Sequence, residues 1–281
     1  MRLKTAVLAT ACLAICAAPA SALAKAKPAT TYYLSLGDSL AAGAQPNAAG
    51  TTLATDHGYA DFLYRTEKAK IPGLKLEKLG CLGESTSSMI NGGPFCPYKG
   101  TQLGDAVKFI KTHKVALITL DIGANDVDRC VSGISPNIAC VLSGVQTIKA
   151  NAPKILAALR EAAGSKVKIA GMTYYDPFLA DYLVAGGQPL ASESVALSRT
   201  VNGALADAFK AKSVRVADVA TAFKTYTPFT TTGKLRGKTE PLAVVDICTY
   251  TWECTSPPRG PNIHATTLGY KTIAGVFAAK L

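Results

Sequence analysis

The chain is short of charge: Asp, Glu, Lys and Arg make up 17% of its 281 residues, against 48% hydrophobic. Disordered chains show the opposite balance, so this one folds around a core. Acid is scarcer still, with Asp+Glu 19 against Lys+Arg 30 and a formal charge of +11. The lysines are dispersed, as at Lys108, Lys111 and Lys114 or at Lys166 and Lys168, and no basic run interleaved with aromatics occurs. Such spacing describes solvated faces and argues against nucleic acid as a partner. The charge favours, at most, peripheral contact with an anionic lipid or cell-wall surface. No fixed-period repeat is present, which excludes collagen, coiled coil and solenoid. With three histidines and no Cys-x-x-Cys pair, zinc has no ligand set. A phosphate loop, a dinucleotide fingerprint and a His-Glu-x-x-His helix are also missing. No metal or cofactor is expected.

Beyond the first residues there is no apolar run long enough to span a bilayer. At the start, Arg2 and Lys4 precede an uncharged stretch from Thr5 to Ala24. Pro19 breaks it, and Ala22-Leu23-Ala24 has the small-x-small pattern that a signal peptidase reads. The stretch is Ala-rich and weak in Leu and Ile for an anchor, and neither Cys12 nor Cys16 sits in a lipobox. Residues 1–24 therefore read as a signal peptide and residues 25–281 as a secreted domain. Six cysteines remain: Cys81, Cys96, Cys130, Cys140, Cys248 and Cys254. An even count in a secreted chain points to disulfides. Pairing sequence neighbours (81 with 96, 130 with 140, 248 with 254) would pin three loops, each worth about 2–3 kcal/mol.

Apolar, β-branched runs alternate with helical periodicity along the chain. The strands expected are Thr31–Leu36, Leu74–Leu79, Val115–Asp121, Val167–Met172 and Val214–Ala217. The helices are Gly58–Ala69, Leu103–Lys111, Val141–Ala162, Ser194–Ala211 and Thr266–Ala279. This alternation predicts βαβ units: a five-stranded parallel sheet covered on both faces, in one three-layer α/β domain. The stretch Thr225–Pro241, rich in Thr, Gly and Lys, reads as a long loop.

The first strand runs into Gly37-Asp38-Ser39-Leu40. A serine just past the C-terminal end of a central parallel strand stands where such sheets bind ligands. A helix starting there would aim its N–H groups at a developing anion. The plain alternative is that Asp38 or Ser39 only caps a helix. Three further blocks follow: Cys81-Leu82-Gly83-Glu84-Ser85-Thr86 after the second strand, Gly123-Ala124-Asn125-Asp126 after the third, and Asn262-Ile263-His264 before the last helix. Together, in this order, the four blocks resemble the SGNH, or GDSL, hydrolase superfamily of esterases and lipases, over nearly the whole mature chain. The resemblance implies a flavodoxin-like α/β/α fold and a secreted carboxylic ester hydrolase without cofactor. It makes Ser39 the nucleophile and His264 the base. The N–H groups of Ser39 and Gly83 and the Asn125 amide would form the oxyanion hole.

The residue types suit that chemistry. A serine hydroxyl needs a base within hydrogen-bond reach, and an oxyanion needs fixed donors. His57, near a helix start, and His113, amid lysines, read as surface or capping residues. One block departs from the family, which often has Asp three residues before the histidine; here Pro261 stands there and Asn262 follows. The Pro261 carbonyl, the Asn262 side-chain oxygen or a remote carboxylate such as Asp246 remain as acceptors for Nδ1–H. An amide turned the wrong way would favour the wrong tautomer, which in a serine protease lowers turnover by about 10⁴. Three prolines in Pro257-Pro258-Arg259-Gly260-Pro261 stiffen the loop that carries the histidine. The substrate expected is a small-molecule or lipid ester, from short-chain esters to phospholipids or acetylated polysaccharides, acted on by a monomer. The alternatives are a non-catalytic carbohydrate- or lipid-binding module, against which the four intact blocks argue, and a cell-wall or polysaccharide acyltransferase or deacetylase.

Overall fold

The computed structural model describes residues 29–281 except Phe95, Pro97 and Ile134. The expected signal peptide, residues 1–24, lies outside the described residues. The apolar runs form strands β1 (Thr31–Gly37), β2 (Leu74–Lys78), β3 (Val115–Asp121), β4 (Lys168–Met172) and β5 (Arg215–Ala217). They pair in parallel in the spatial order β2-β1-β3-β4-β5. β1 and β3 lie in the middle and are buried at almost every position. Both faces of the sheet are therefore covered.

The cover consists of α1 (Tyr59–Glu67), α2 (Thr86–Asn91), α3 (Gln102–Thr112), α4 (Ile138–Ala163), α5 (Gln188–Ala211), α6 (Val219–Ala222), α7 (Leu242–Tyr250) and α8 (Thr267–Ala278). α1 packs on α8, while α3, α4 and α5 pack on one another in series. Right-handed crossovers place these two sets on opposite faces, which makes three layers. The chain leaves β1 toward β2 in one direction, then crosses back over β1 to reach β3. At that reversal the loops after β1 and β3 part and open a crevice at the carboxyl ends of the strands.

The structure corrects three expectations. No helix follows Gly37; residues 39–43 form a single turn instead. The stretch Thr225–Pro241 is not all loop, because Thr232–Leu235 and Lys238–Pro241 pair as an antiparallel hairpin. Its turn residues Arg236 and Gly237 both have positive φ, 49° and 84°, as a two-residue hairpin turn demands. Arg-Gly lacks the Asn-Gly signature that would have announced it. α4 begins at Ile138 rather than Val141, since the Asn137 side chain accepts a hydrogen bond from the Cys140 N–H and caps it there.

Three disulfides join Cys81 to Cys96, Cys130 to Cys140 and Cys248 to Cys254, with Cα separations of 5.8, 5.4 and 5.0 Å. Each closes a loop at the carboxyl edge of the sheet.

Gly171 is required by packing rather than by its backbone angle. A Cβ on Gly171 in β4 would run into the ring of Phe209, a fully buried residue of α5. Gly171→Ala is expected to lose about 1–3 kcal/mol of stability by overpacking, read as a lower midpoint in urea unfolding.

Candidate active site

The site is built on the junction of β1 and β3. Gly37 has φ 132° and lies against Asp121, whose carbonyl oxygen a Cβ would strike, so only glycine fits there. Buried Gln102 holds the Gly37 peptides from both sides, accepting from Gly37 N at 2.7 Å and donating to Gly37 O at 2.9 Å. The Asp38 N–H then donates to Asp121 O at 3.0 Å. Both carboxyl groups are buried below the turn. Asp38 accepts from Leu40 N at 2.9 Å and from the Tyr174 hydroxyl at 2.6 Å. Asp121 accepts from Ala41 N at 3.0 Å and from the Tyr59 hydroxyl. Burial pushes both carboxyls upward, and the negative charge of Asp38 pushes Asp121 further. Ser39 sits on this clamped turn, half-buried, and among the described residues its N–H donates to no group.

The second and third blocks are tied together. Asp126 takes two bonds from Thr86, at 2.8 Å to its N–H and 2.7 Å to its hydroxyl, which fixes the start of α2. The Asn125 amide donates to Glu84 O at 2.9 Å, next to Gly83. An amide nitrogen has two hydrogens, so this bond anchors Asn125 and leaves one donor over. Gly83 has φ 81°, is exposed, and its N–H is unpaired within the protein.

The histidine loop is clamped at both ends. Trp252 N donates to His264 O at 3.0 Å and Thr266 N to Tyr250 O at 2.8 Å, with the Cys248–Cys254 bridge closing the same segment. The Tyr175 hydroxyl adds a bond of 2.7 Å to Ile263 O. The His264 ring meets a side chain, not the Pro261 carbonyl: Nδ1 lies 2.8 Å from Asn262 Oδ1. That same oxygen accepts the His264 backbone N–H at 3.1 Å, and the Asn262 amide nitrogen donates to Thr52 Oγ1 at 2.9 Å. A backbone N–H can only donate, so the amide oxygen faces the histidine and Nδ1 carries the proton. Nε2 is left without a protein partner. Asp246 does not touch the ring, and His57 and His113 are both exposed, the latter stacked on Phe109. With burial and no carboxylate beside it, His264 is pushed down to about 4.

Ser39, Asn125 and His264 line one apolar pocket over the crevice, whose walls include Tyr174, Tyr175 and Phe178. Gly83 and Pro261 stand outside its lining. The sequence reading missed three of its contributors: Asp38, Asp128 and Asp176 are carboxylates of the same pocket. Asp38 and Asp128 lie next to quoted motif residues, but only the fold shows that they are enclosed.

The chain belongs to the GDSL-like lipase/acylhydrolase family, whose model matches residues 35–271. It is a carboxylic ester hydrolase of that family. Comparison with curated protein sequences finds no match. Among solved structures it is similar to a phospholipase A1 from Streptomyces albidoflavus NA297, at 17% identity and a TM-score of 0.61 over 90% of this chain and 100% of that one. An extracellular lipase from Streptomyces rimosus matches at 16% identity and TM-score 0.56, again over 90% and 100%. A carbohydrate acetylesterase from Sinorhizobium meliloti, Est24, matches at 12% and 0.52 over 89% and 98%. At these identities the likeness is one of fold.

The histidine environment makes a spectroscopic prediction. In NMR titration the His264 ring should stay neutral down to about pH 4, and Asn262→Asp should raise its midpoint by a unit or more. An unchanged midpoint in the variant would show that the 262 side chain does not face the ring. The sign for stability follows. A ring whose folded pKa lies below the ordinary 6.5 withdraws stability as pH falls from about 6.5 toward about 4.

Proposed function

We propose that this protein is a secreted serine esterase working through an acyl-Ser39 intermediate. The observation that carries the reading is that Ser39, Asn125 and His264 line one pocket at the point where the strand order reverses. His264 Nε2 takes the Ser39 proton as Oγ attacks the ester carbonyl, then returns it to the leaving alcohol. The same nitrogen next deprotonates the water that releases the acid. The unpaired N–H groups of Ser39 and Gly83 and the free hydrogen of the Asn125 amide hold the oxyanion. Asn262 positions the ring by accepting Nδ1–H. It offers a neutral acceptor, so the imidazolium formed during proton transfer gains orientation without a full counter-charge. Three disulfides and the signal-like segment 1–24 support secretion. Water is the acceptor in this reading, and the apolar pocket takes one side of the ester.

The test is hydrolysis of p-nitrophenyl esters across a chain-length series. Ser39→Ala should fall to the uncatalysed rate, and Asn125→Ala should lower kcat by about 10²–10³. The acid limb of kcat/KM should lie near pH 4, where His264 gains its proton. Equal background rates in the wild type and Ser39→Ala would overturn the esterase reading in favour of a binding module or a narrowly specific transferase.

A further inference from the structure

The pocket beside Ser39 is unusual in its charge. Its carboxylates are Asp38, Asp128 and Asp176, and no lysine or arginine lines it. Asp38 is accounted for by Leu40 N, Tyr174 and Asp121. The other two are not. Asp176 is 3% exposed; its Oδ1 caps the following turn by accepting from Phe178 N at 3.1 Å, while its Oδ2 is buried without a well-formed hydrogen bond, the Ser194 hydroxyl being the side chain that eases the carboxyl toward its ionised form. The Asp128 side chain makes no hydrogen bond, and the groups that act on it are the carboxylates Asp38, Asp176 and Asp126. Burial pushes Asp128 up to about 8 and Asp176 up to about 6. Asp128 is only half-buried, and both acids relieve the cost of enclosure by holding a proton more tightly; the buried Oδ2 of Asp176 is the polar atom in the pocket that is left without a hydrogen-bond partner.

We propose that this pocket binds an alkylammonium group, so that the esters this enzyme prefers carry a positive charge close to the scissile bond. A cation entering the pocket favours the ionised forms of Asp128 and Asp176; the Asp128 proton leaves to solvent, and the two carboxylates then supply the counter-charge. Tyr174, Tyr175 and Phe178 supply the aromatic walls that favour a weakly hydrated organic cation. A metal ion fits less well, because these three aspartates do not bring their oxygens within 4.8 Å of one another as a metal cage would. The proposal takes the pocket to be the substrate site of the proposed esterase. The ammonium group can sit on either the alcohol or the acyl part of the ester.

Binding is measured first, because it does not depend on turnover. In calorimetry on the wild-type protein, choline should bind at least about tenfold more tightly than 3,3-dimethylbutan-1-ol, its neutral isostere. Asp128→Asn, which removes the carboxyl that ionises against the cation but breaks no hydrogen bond, should bring that ratio toward one. Asp176→Asn serves as the second variant. The hydrolysis arms then locate the charge. Acetylcholine against 3,3-dimethylbutyl acetate tests the alcohol side, and methyl 4-(trimethylammonio)butyrate against methyl 5,5-dimethylhexanoate tests the acyl side. Each result is a ratio of two kcat/KM values from one preparation, so partial loss of folded enzyme cancels. A wild-type ratio near one in calorimetry, or a preference that survives in both variants, overturns the proposal. If choline is preferred but no ester is turned over, the cation site stands and the esterase reading fails.

Discussion

The contact on which the site depends is the backbone crossing of Gly37 on Asp121. There the last residue of β1 meets the last residue of β3 in register, and the two chains approach too closely for any Cβ. The crossing does three things at once. It ends the central strand pair and brings Asp38 over Asp121. It also forces the chain into a turn whose outermost residue is Ser39. Because Gln102 satisfies both polar groups of Gly37, the strained glycine is held without a buried orphan. The hydroxyls of Tyr59 and Tyr174 then fix the two buried carboxyls. The proposed nucleophile thus owes its position to the core rather than to its own loop, which is how a site gains preorganisation.

The histidine is held by a different logic. A carboxylate beside a buried imidazole would orient the ring and also stabilise its charged form. Asn262 does only the first. The amide is fixed by three partners: the His264 N–H, the His264 ring and Thr52. Orientation is thus obtained from geometry, and the clamped loop between Tyr250 and Thr266 keeps that geometry in place. The consequence is a ring that stays neutral far into acid, ready as a base but less able to hold the proton. In the mechanism proposed above, this arrangement trades some turnover for a wide acidic working range.

Much of this was legible in the chain, for reasons that can be stated. The five sheet strands are runs of β-branched and apolar residues bounded by Gly, Asn and Asp, so their positions follow from burial on both faces. Ser39, Asn125 and His264 belong to blocks whose order along the chain mirrors the order of strand ends. What was not legible depends on contacts distant in sequence. Asn262 reaches His264 only because the chain doubles back after the prolines, so that one oxygen meets both the backbone and the ring. Asp121 reads as an ordinary strand end until Gly37 is placed on it. Asp128 and Asp176 look like surface polar residues, and only the pocket formed by the turns after β3 and β4 together with α5 gives them their character. The hairpin at Arg236-Gly237 was hidden by a turn dipeptide that carries no standard signal.

The distribution of charge ties these strands of argument together. The chain is strongly basic, yet among the described residues only two ion pairs form, Lys70 with Glu67 and Lys78 with Asp61. No other cation among them pairs with an Asp or Glu carboxylate; several arginines, Arg160, Arg215 and Arg236, donate to backbone carbonyls instead. The acids are handled the opposite way. Although scarce, several are buried around the catalytic edge: Asp38, Asp121, Asp126 and Asp176 are each 5% exposed or less. Asp126 is repaid by Thr86, and Asp38 and Asp121 by hydroxyls, backbone N–H groups and each other. A fold that satisfies three buried acids so fully, with basic residues plentiful elsewhere, does not lack the means to neutralise the others. That the pocket leaves Asp128 and one oxygen of Asp176 bare is therefore best understood as a property of the binding surface, with the missing partner supplied by what the enzyme binds.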